Sequence, residues 1–242
     1  MARRAALTPA AHGALRVRAD RGVDLGDGVM SSLVTPDEFR RVQAHYPILF
    51  RLNQERDAFT ALALFGFETG ENLFLEGGRW DAAYLPLAID VQPFLIGGSP
   101  DQEGPKQVHV DLGSPRIADQ ADEGVRLWDE HGRPTPYLEA AAEKLGALDE
   151  SYRASGAFFA ALARHELLEP FTLEIGLHDG STNRLVGFHV IDEDRLRGLD
   201  AGALGELHGE GHLLPIFMAL ASLSNIGALV DRKNRKVRGG RS

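Results

Sequence analysis

Hydrophobic and polar residues follow two different periods along this chain, and their order predicts a fold that mixes strands and helices. The stretches FTLEIGL and NRLVGFHV alternate between apolar and polar residues, as half-buried β-strands do. The HDGS sequence between them is typical of a turn, so the two stretches predict a β-hairpin. Earlier in the chain, ILFRL, AFTALALFGF and NLFLE are separated by polar turn residues and predict consecutive antiparallel strands.

Three segments show helical spacing instead. TPDEFRRVQAHYP predicts a short helix in which Thr35 is the N-cap and Glu38 completes a capping box. The longest helix is predicted to begin at Pro136, because apolar residues recur there at intervals of three and four. A final amphipathic helix is predicted to bury Leu213, Phe217, Leu220 and Leu223. We therefore expect an α+β fold, with a mainly antiparallel sheet packed by the long central helix and the C-terminal amphipathic helix.

The distribution of arginine and glycine suggests how the chain is organised. Residues 1–28 are rich in Arg, Ala and Gly and are predicted to form an extended N-terminal arm. Residues 29–231 contain no linker and are predicted to form a single α+β domain. Residues 232–242 are basic and are predicted to be a disordered tail, although a tail of this charge would also suit docking on an acidic partner or membrane surface.

Composition narrows the functional classes. The net charge of −9 argues against a nucleic-acid-binding protein, which needs a basic face for phosphate contacts. The chain has no cysteine, which excludes disulfides, thiolate zinc sites and cysteine nucleophiles. No secretion signal is recognisable, and the longest apolar run, LLPIFMALASL, is too short to cross a bilayer. We therefore expect a cytoplasmic protein that does not span a membrane.

The segment GENLFLEGGRWDAAYLPLAI combines a glycine pair with two large aromatic residues. The glycines predict a tight turn after a strand, and Trp80 and Tyr84 follow it one helical turn apart. Arg79 and Asp81 flank the tryptophan and could hold the bend by pairing or capping. The segment is thus predicted to be a corner that locks the next helix onto the sheet. Alternatively, these four residues line a pocket and bind a ligand.

One pair of residues suggests metal chemistry. His109 and Asp111 are two residues apart on a predicted strand, so both side chains leave the same face. With His178 as a distal ligand they would form the two-His, one-carboxylate set of a non-haem Fe(II) oxygenase, and Arg184 could bind its 2-oxoglutarate co-substrate. His189 is a second candidate for the distal ligand. The alternative is that these side chains are the polar residues of a solvated sheet face, in which case no cofactor is expected.

Taken together, several segments resemble the SapC family of bacterial proteins, from about Leu33 to Val230. The matching segments are HYPILF, GENLFLEGGRWDAAYLP, VDLGSPRI, LWDEHGRPTPYL, LLEPFTLEI, DGSTNRLVGFHVIDEDRL and LLPIFMALASLSNI. The family is named for an association with bacterial surface arrays, and its members are often labelled as peptide-transport permeases. Relatives occur beside TonB-dependent receptors, tryptophan-halogenase-like proteins and cupin-like proteins. The resemblance implies an accessory role in uptake or in peptide or small-molecule modification, and it assigns no catalytic residue.

Three functions follow from these observations. The first is a cytoplasmic, non-catalytic accessory protein that binds a partner protein or a small ligand. The second is the Fe(II)/2-oxoglutarate oxygenase, whose three ligands would have to converge on one point. The third is a surface-array protein, which would need export.

Overall fold

The described strands pair only in antiparallel sheets, and long helices accompany them, which confirms the predicted α+β class. The computed structural model describes residues 3–53, 55–97, 107–118 and 123–239. The strands are β1 Arg4–Ala6, β2 Arg16–Val17, β3 Ser31–Val34, β4 Ile48–Leu52, β5 Phe59–Leu64, β6 Leu75–Glu76, β7 Arg79–Trp80, β8 Phe94–Gly97, β9 Gln107–Asp111, β10 Val125–Arg126, β11 Leu168–Gly176 and β12 Thr182–Ile191. The helices are α1 Pro9–His12, α2 Phe39–Val42, α3 Leu87–Asp90, α4 Pro136–Arg164, α5 Glu193–Arg197, α6 Ala201–Gly209, α7 Leu213–Ser222 and α8 Asn225–Gly239. Single 3₁₀ turns cover Val23–Leu25 and Pro36–Glu38.

Contacts between Cα atoms divide the chain into two units, whereas the sequence predicts a single domain preceded by an arm. Unit 1 consists of residues 1–28, 75–80 and 87–150. Unit 2 consists of residues 29–74, 81–86 and 151–242. Helix α4 begins in unit 1 and ends in unit 2.

Unit 1 is built from short antiparallel strands and the first half of α4. Its three-stranded sheet has the order β1-β9-β8, and two-stranded ribbons pair β2 with β10 and β6 with β7. The segment predicted to be an extended arm therefore pairs with other strands of this unit. The core cluster consists of Val17, Val91, Phe94, Val110, Leu127, Trp128, Leu138, Ala141 and Leu145. Its last three members repeat at helical spacing on α4, which is why this half of the helix belongs to unit 1.

Unit 2 contains a five-stranded antiparallel sheet with the order β11-β12-β4-β5-β3. The predicted hairpin forms from β11 and β12, with Leu168 opposite Ile191. Helices α2 and α7 and the second half of α4 supply the helical part of the core. Phe39 of α2 packs edge-on against Phe50 of the sheet and Phe158 of α4, with ring centroids 6.3 and 5.9 Å apart. Such pairs add to the energy gained from burying the rings.

Two sequence predictions about helix starts are confirmed, the Thr35 capping box and the start of the long helix at Pro136. Glu38 accepts hydrogen bonds from the backbone N–H and the hydroxyl of Thr35, at 3.0 and 3.2 Å, so the predicted capping box forms. Helix α4 begins at Pro136 and continues without interruption to Arg164.

The C-terminal amphipathic helix buries a different face from the one predicted. Ile216, Ala219 and Ser222 are the buried residues of α7, while Phe217 is 49% exposed. The Ser222 hydroxyl accepts a hydrogen bond from the N–H of Ile48 at 2.8 Å, which fixes the rotation of α7 against β4. The buried face of α7 therefore includes a serine that accepts a hydrogen bond from the sheet. Hydrophobicity alone would have placed only leucine and phenylalanine side chains on that face.

Residues predicted to form a disordered tail are helical as far as Gly239. Two polar side chains of α8 are buried and hold it in place. Lys233 donates to Glu71 at 2.7 Å, and Asn234 accepts from the backbone N–H of His178 at 2.9 Å. These contacts explain why a sequence with a polar composition is ordered here.

The segment Leu213–Gly239 is long and apolar enough to cross a membrane, judged by length and composition alone. Only 22% of its most apolar 18-residue window is buried. Core helices of soluble proteins pass the same test. The expectation that the chain does not span a membrane rested on the shorter run LLPIFMALASL, and it stays a prediction.

Candidate functional site

The four residues proposed to bind a ligand at the corner divide between the two units. Arg79 and Trp80 lie on β7 in the β6–β7 ribbon of unit 1, after a turn with positive φ at both glycines. Asp81 and Tyr84 belong to unit 2. Because the turn forms as predicted, this part of the corner interpretation holds.

The polar groups of Asp81 and Tyr84 are used within unit 2. Asp81 accepts from the Arg232 guanidinium at 2.6 Å. The Tyr84 hydroxyl donates to Glu38 at 2.7 Å, and the Arg41 guanidinium lies 4.6 Å from the centroid of the Tyr84 ring. Glu38 is buried, so the tyrosine stabilises a carboxylate that has left water. These contacts favour the structural interpretation for both residues.

His109 and Asp111 leave the same face of β9 in unit 1, but each is occupied by a local interaction. Asp111 accepts from the backbone N–H of Gly113 at 2.9 Å, which stabilises the turn after the strand. A Cβ atom added to Gly97 would lie 2.1 Å from Nε2 of His109, so the imidazole fills the space above this glycine on the neighbouring strand.

The remaining residues of the iron hypothesis lie on the hairpin of unit 2. Nδ1 of His178 is 2.6 Å from the Arg238 guanidinium. Arg184 is exposed opposite Glu174 on β11. Within the described ranges, no three His, Asp or Glu side chains form a group that could hold a metal ion. The convergence that the iron hypothesis requires is therefore not present among those residues.

His189, the second candidate for the distal ligand, is partly buried in the sheet of unit 2. Its ring packs edge-on against Phe59 with centroids 5.0 Å apart, and its Nδ1 is buried with no hydrogen-bond partner among the described residues. Burial lowers the pKa of His189, and the positive charge of Arg56 lowers it further. The imidazole is thus held in its neutral form by its surroundings.

A groove of about 470 Å³ lies in unit 2. We call it the unit 2 groove. It lies among the Pro36–Glu38 turn, α2, the second half of α4 and the start of α7. Its lining residues are Pro36, Asp37, Arg40, Ser151, Ala154, Ser155, Ala157, Phe158, Glu210, Gly211, His212, Leu214, Pro215 and Met218.

The sequence of α4 explains why the groove exists. Ser151, Ala154, Ser155 and Phe158 are spaced at three and four residues, so they lie on one face of the helix. Three of the four are small and leave the space open, and Phe158 closes one end as part of the core. Leu214 of α7 is 52% exposed and provides an apolar side.

Polar groups surround this apolar surface. Asp37 accepts from the Ser151 hydroxyl at 2.7 Å. Nε2 of His212 lies 3.3 Å from the Glu210 carboxylate, but the geometry is not that of a hydrogen bond, and this buried atom has no hydrogen-bond partner among the described residues. The exposed guanidinium of Arg40 makes no hydrogen bond or ion pair within the described ranges. The groove thus combines apolar walls with one available cation.

A larger cleft of about 640 Å³ lies beside α5 and α6. The two arginines in its lining already have carboxylate partners: Arg195 pairs with Glu166, and Arg164 with Glu206. It is more open than the unit 2 groove and has less apolar lining, so a small ligand would remain largely in water. We therefore regard the unit 2 groove as the better candidate.

Sequence reasoning missed the groove because its residues come from three distant segments. The only local signal was the run of small residues in RASGAFFAALA on α4.

The sequence model of the SapC family matches residues 7–229. No curated protein and no solved structure matches the chain.

Proposed function

This chain belongs to the SapC family, and we propose that it is a non-catalytic binding protein whose unit 2 groove holds a ligand with an apolar body and a carboxylate. The observation that carries the proposal is an arginine with no side-chain partner among the described residues, lining a partly apolar groove of suitable size. Such a ligand could be a small organic acid or the free carboxyl end of a peptide.

The groove has the dimensions and the lining of a small-ligand site. Its volume of about 470 Å³ is within the range of 300–1,000 Å³ that is common for such sites. Leu214 and Met218 provide apolar surface, and an apolar ligand gains free energy by covering the exposed Leu214 side chain.

Arg40 gives the site its preference for an anionic group. Its guanidinium can offer two parallel N–H donors to a carboxylate, and no internal carboxylate competes for it within the described ranges. Asp37 and Glu210 also line the groove. Their negative charges repel a doubly charged phosphate more strongly than a monocarboxylate, so the monocarboxylate is the better match of the two.

A site of this kind suits the accessory role that the family resemblance implies, in uptake or in the modification of peptides or small molecules. A protein that presents or sequesters an organic acid or peptide needs an apolar groove and one charge, and no reactive group. We therefore place the function in binding and not in turnover.

Isothermal titration calorimetry with octanoate tests the proposal, with octylamine as the ligand of opposite charge. We expect octanoate to bind and Arg40→Gln to weaken it about tenfold or more, since a hydrogen bond to a charged group is lost. Leu214→Ser should also weaken binding. Arg51→Gln removes an exposed arginine on β4, outside the groove lining, and should leave the affinity unchanged.

Two results would contradict this function. One is an octanoate affinity that is undetectable, or identical in the wild type and in Arg40→Gln. The other is turnover of 2-oxoglutarate by purified protein supplied with Fe(II), which would restore the oxygenase hypothesis.

A further inference from the structure

Unit 1 contains a network of charged side chains that the proposed function does not use. At its centre, the Arg116 guanidinium donates to Asp27 at 2.6 Å, and the two side chains are 1% and 0% exposed. Asp27 also accepts from the backbone N–H of Gly22 at 2.9 Å, and Arg21 approaches it at 3.4 Å. Charges this deeply buried are tolerated only because they are paired.

The network continues to the surface through a second carboxylate. Asp90 accepts from Arg21 at 3.0 Å and from Lys144 at 2.6 Å. Two guanidinium groups and one ammonium group therefore share two carboxylates. Nε of Arg116 is also buried without a hydrogen-bond partner among the described residues. These five groups carry one more positive charge than negative, and only the Arg116–Asp27 pair is fully buried, whereas Lys144 is 46% exposed and partly screened by water.

A cavity of about 170 Å³ lies against this network, and we call it the unit 1 cavity. Its lining includes Arg21, Arg116, Lys144, Tyr137 and the carboxylate of Asp90, and small alanines of α4 leave the space open. The cavity has room for about five water molecules at their share of liquid volume, or for one small polyatomic ion.

Tyr137 brings an unused hydrogen-bond donor to the cavity. Its hydroxyl makes no hydrogen bond within the described ranges, although the residue is half-buried. Burial raises the pKa of Tyr137, while the positive charges of Arg116 and Arg21 act in the opposite direction. The hydroxyl therefore keeps its proton at neutral pH, and Tyr137 lines the cavity together with both arginines.

We propose that the unit 1 cavity is a binding site for a small oxoanion, held by Lys144, Tyr137 and Arg21. The Lys144 ammonium has further N–H donors beyond the one that contacts Asp90. An anion in the cavity would offset the excess positive charge and would give the Tyr137 hydroxyl an acceptor. This site is independent of the unit 2 groove, because its residues belong to unit 1 alone.

Calorimetric titration with inorganic phosphate, sulfate and acetate, each against chloride at equal ionic strength, tests this site. Tyr137→Phe and Lys144→Gln are the informative variants. Their matched controls are Tyr152→Phe, on an exposed tyrosine of the same helix, and Lys236→Gln, on an exposed lysine of α8. Arg40→Gln is added because its arginine could bind the same anions in the unit 2 groove.

We expect at least one oxoanion to bind above the chloride control. Tyr137→Phe or Lys144→Gln should weaken its binding about tenfold, while Tyr152→Phe and Lys236→Gln leave it unchanged. Lys144 is 46% exposed, so Lys144→Gln decides the matter if Tyr137→Phe does not give a native circular dichroism spectrum. No binding above chloride, equal binding in all folded variants, or weakening by Arg40→Gln alone would overturn the assignment.

Discussion

Replacing Asp27 with asparagine tests how strongly the buried ion pair stabilises unit 1. The side chain is fully buried and lies 2.6 Å from Arg116, which is itself 1% exposed. Asparagine has nearly the same volume and keeps one oxygen that can accept a hydrogen bond. The substitution therefore removes the negative charge with little change in packing, and leaves a guanidinium that is buried without its main counter-charge.

The expected cost follows from this burial. Removing one partner of a buried ion pair destabilises a protein by about 3–5 kcal/mol, because the remaining charge is neither paired nor hydrated. We expect the lower end of this range, since asparagine still accepts one hydrogen bond. With a slope of about 2 kcal/mol per molar urea, the unfolding midpoint should fall by roughly 1.5 M. The same change at an exposed ion pair should cost under about 1 kcal/mol.

Tryptophan fluorescence during urea unfolding measures the effect in the right part of the chain. Both tryptophans, Trp80 and Trp128, lie in unit 1, so their emission reports the unfolding of that unit. Asp24→Asn is the matched control, because Asp24 is 74% exposed and its ion pair with Arg18 is long, at 4.0 Å. If Asp27→Asn and Asp24→Asn unfold within about 0.3 M urea of each other, the pair does not stabilise unit 1 as argued.

Two further predictions concern unit 2. Tyr84→Phe removes the hydrogen bond to the buried carboxylate of Glu38 and should cost about 1.5–3 kcal/mol in urea unfolding followed by circular dichroism, whereas Tyr152→Phe should change little. Because burial lowers the pKa of His189, stability should be fully present above the ordinary pKa of 6.5 and be lost as the pH falls below it. His189→Asn should reduce that loss, and an equal loss in His189→Asn and in the exposed-site control His208→Asn would contradict the assignment.

The sequence predicts those parts of the fold that depend on neighbours in the chain. The β11–β12 hairpin and the Thr35 capping box follow from alternation, turn composition and a four-residue motif. The buried face of α7 does not follow, because Ser222 is placed by a hydrogen bond to Ile48, which is 174 residues away in sequence. The order of α8 is missed for the same reason, since Lys233 is held by glutamates from a distant loop.

The candidate site also depends on contacts between residues that are distant in sequence, and the sequence therefore does not predict it. His109 and Asp111 have the spacing of a metal-binding pair, but spacing along one strand does not determine whether a third ligand arrives from elsewhere. The corner residues attract attention because aromatic and charged side chains are rare so close together. Arg40 looked like any solvated arginine of a short helix. It stands out only in the fold, where it lines the unit 2 groove with α4 and α7 and makes no ion pair among the described residues.

A segment with a distinctive sequence need not contain a catalytic or binding site, because structural hydrogen bonds can also require particular residues. Tyr84 in GRWDAAYLP and Arg116 in VDLGSPRI each hydrogen-bond to a buried carboxylate. A buried polar group has few acceptable replacements, because each loses its partner and strands a charge or a donor, whereas apolar core positions tolerate several residues. Structural polar contacts thus produce specific-looking motifs without catalysis. Function is better sought at groups that the fold leaves without partners, and in the described residues these include Arg40 in unit 2 and the Tyr137 hydroxyl in unit 1.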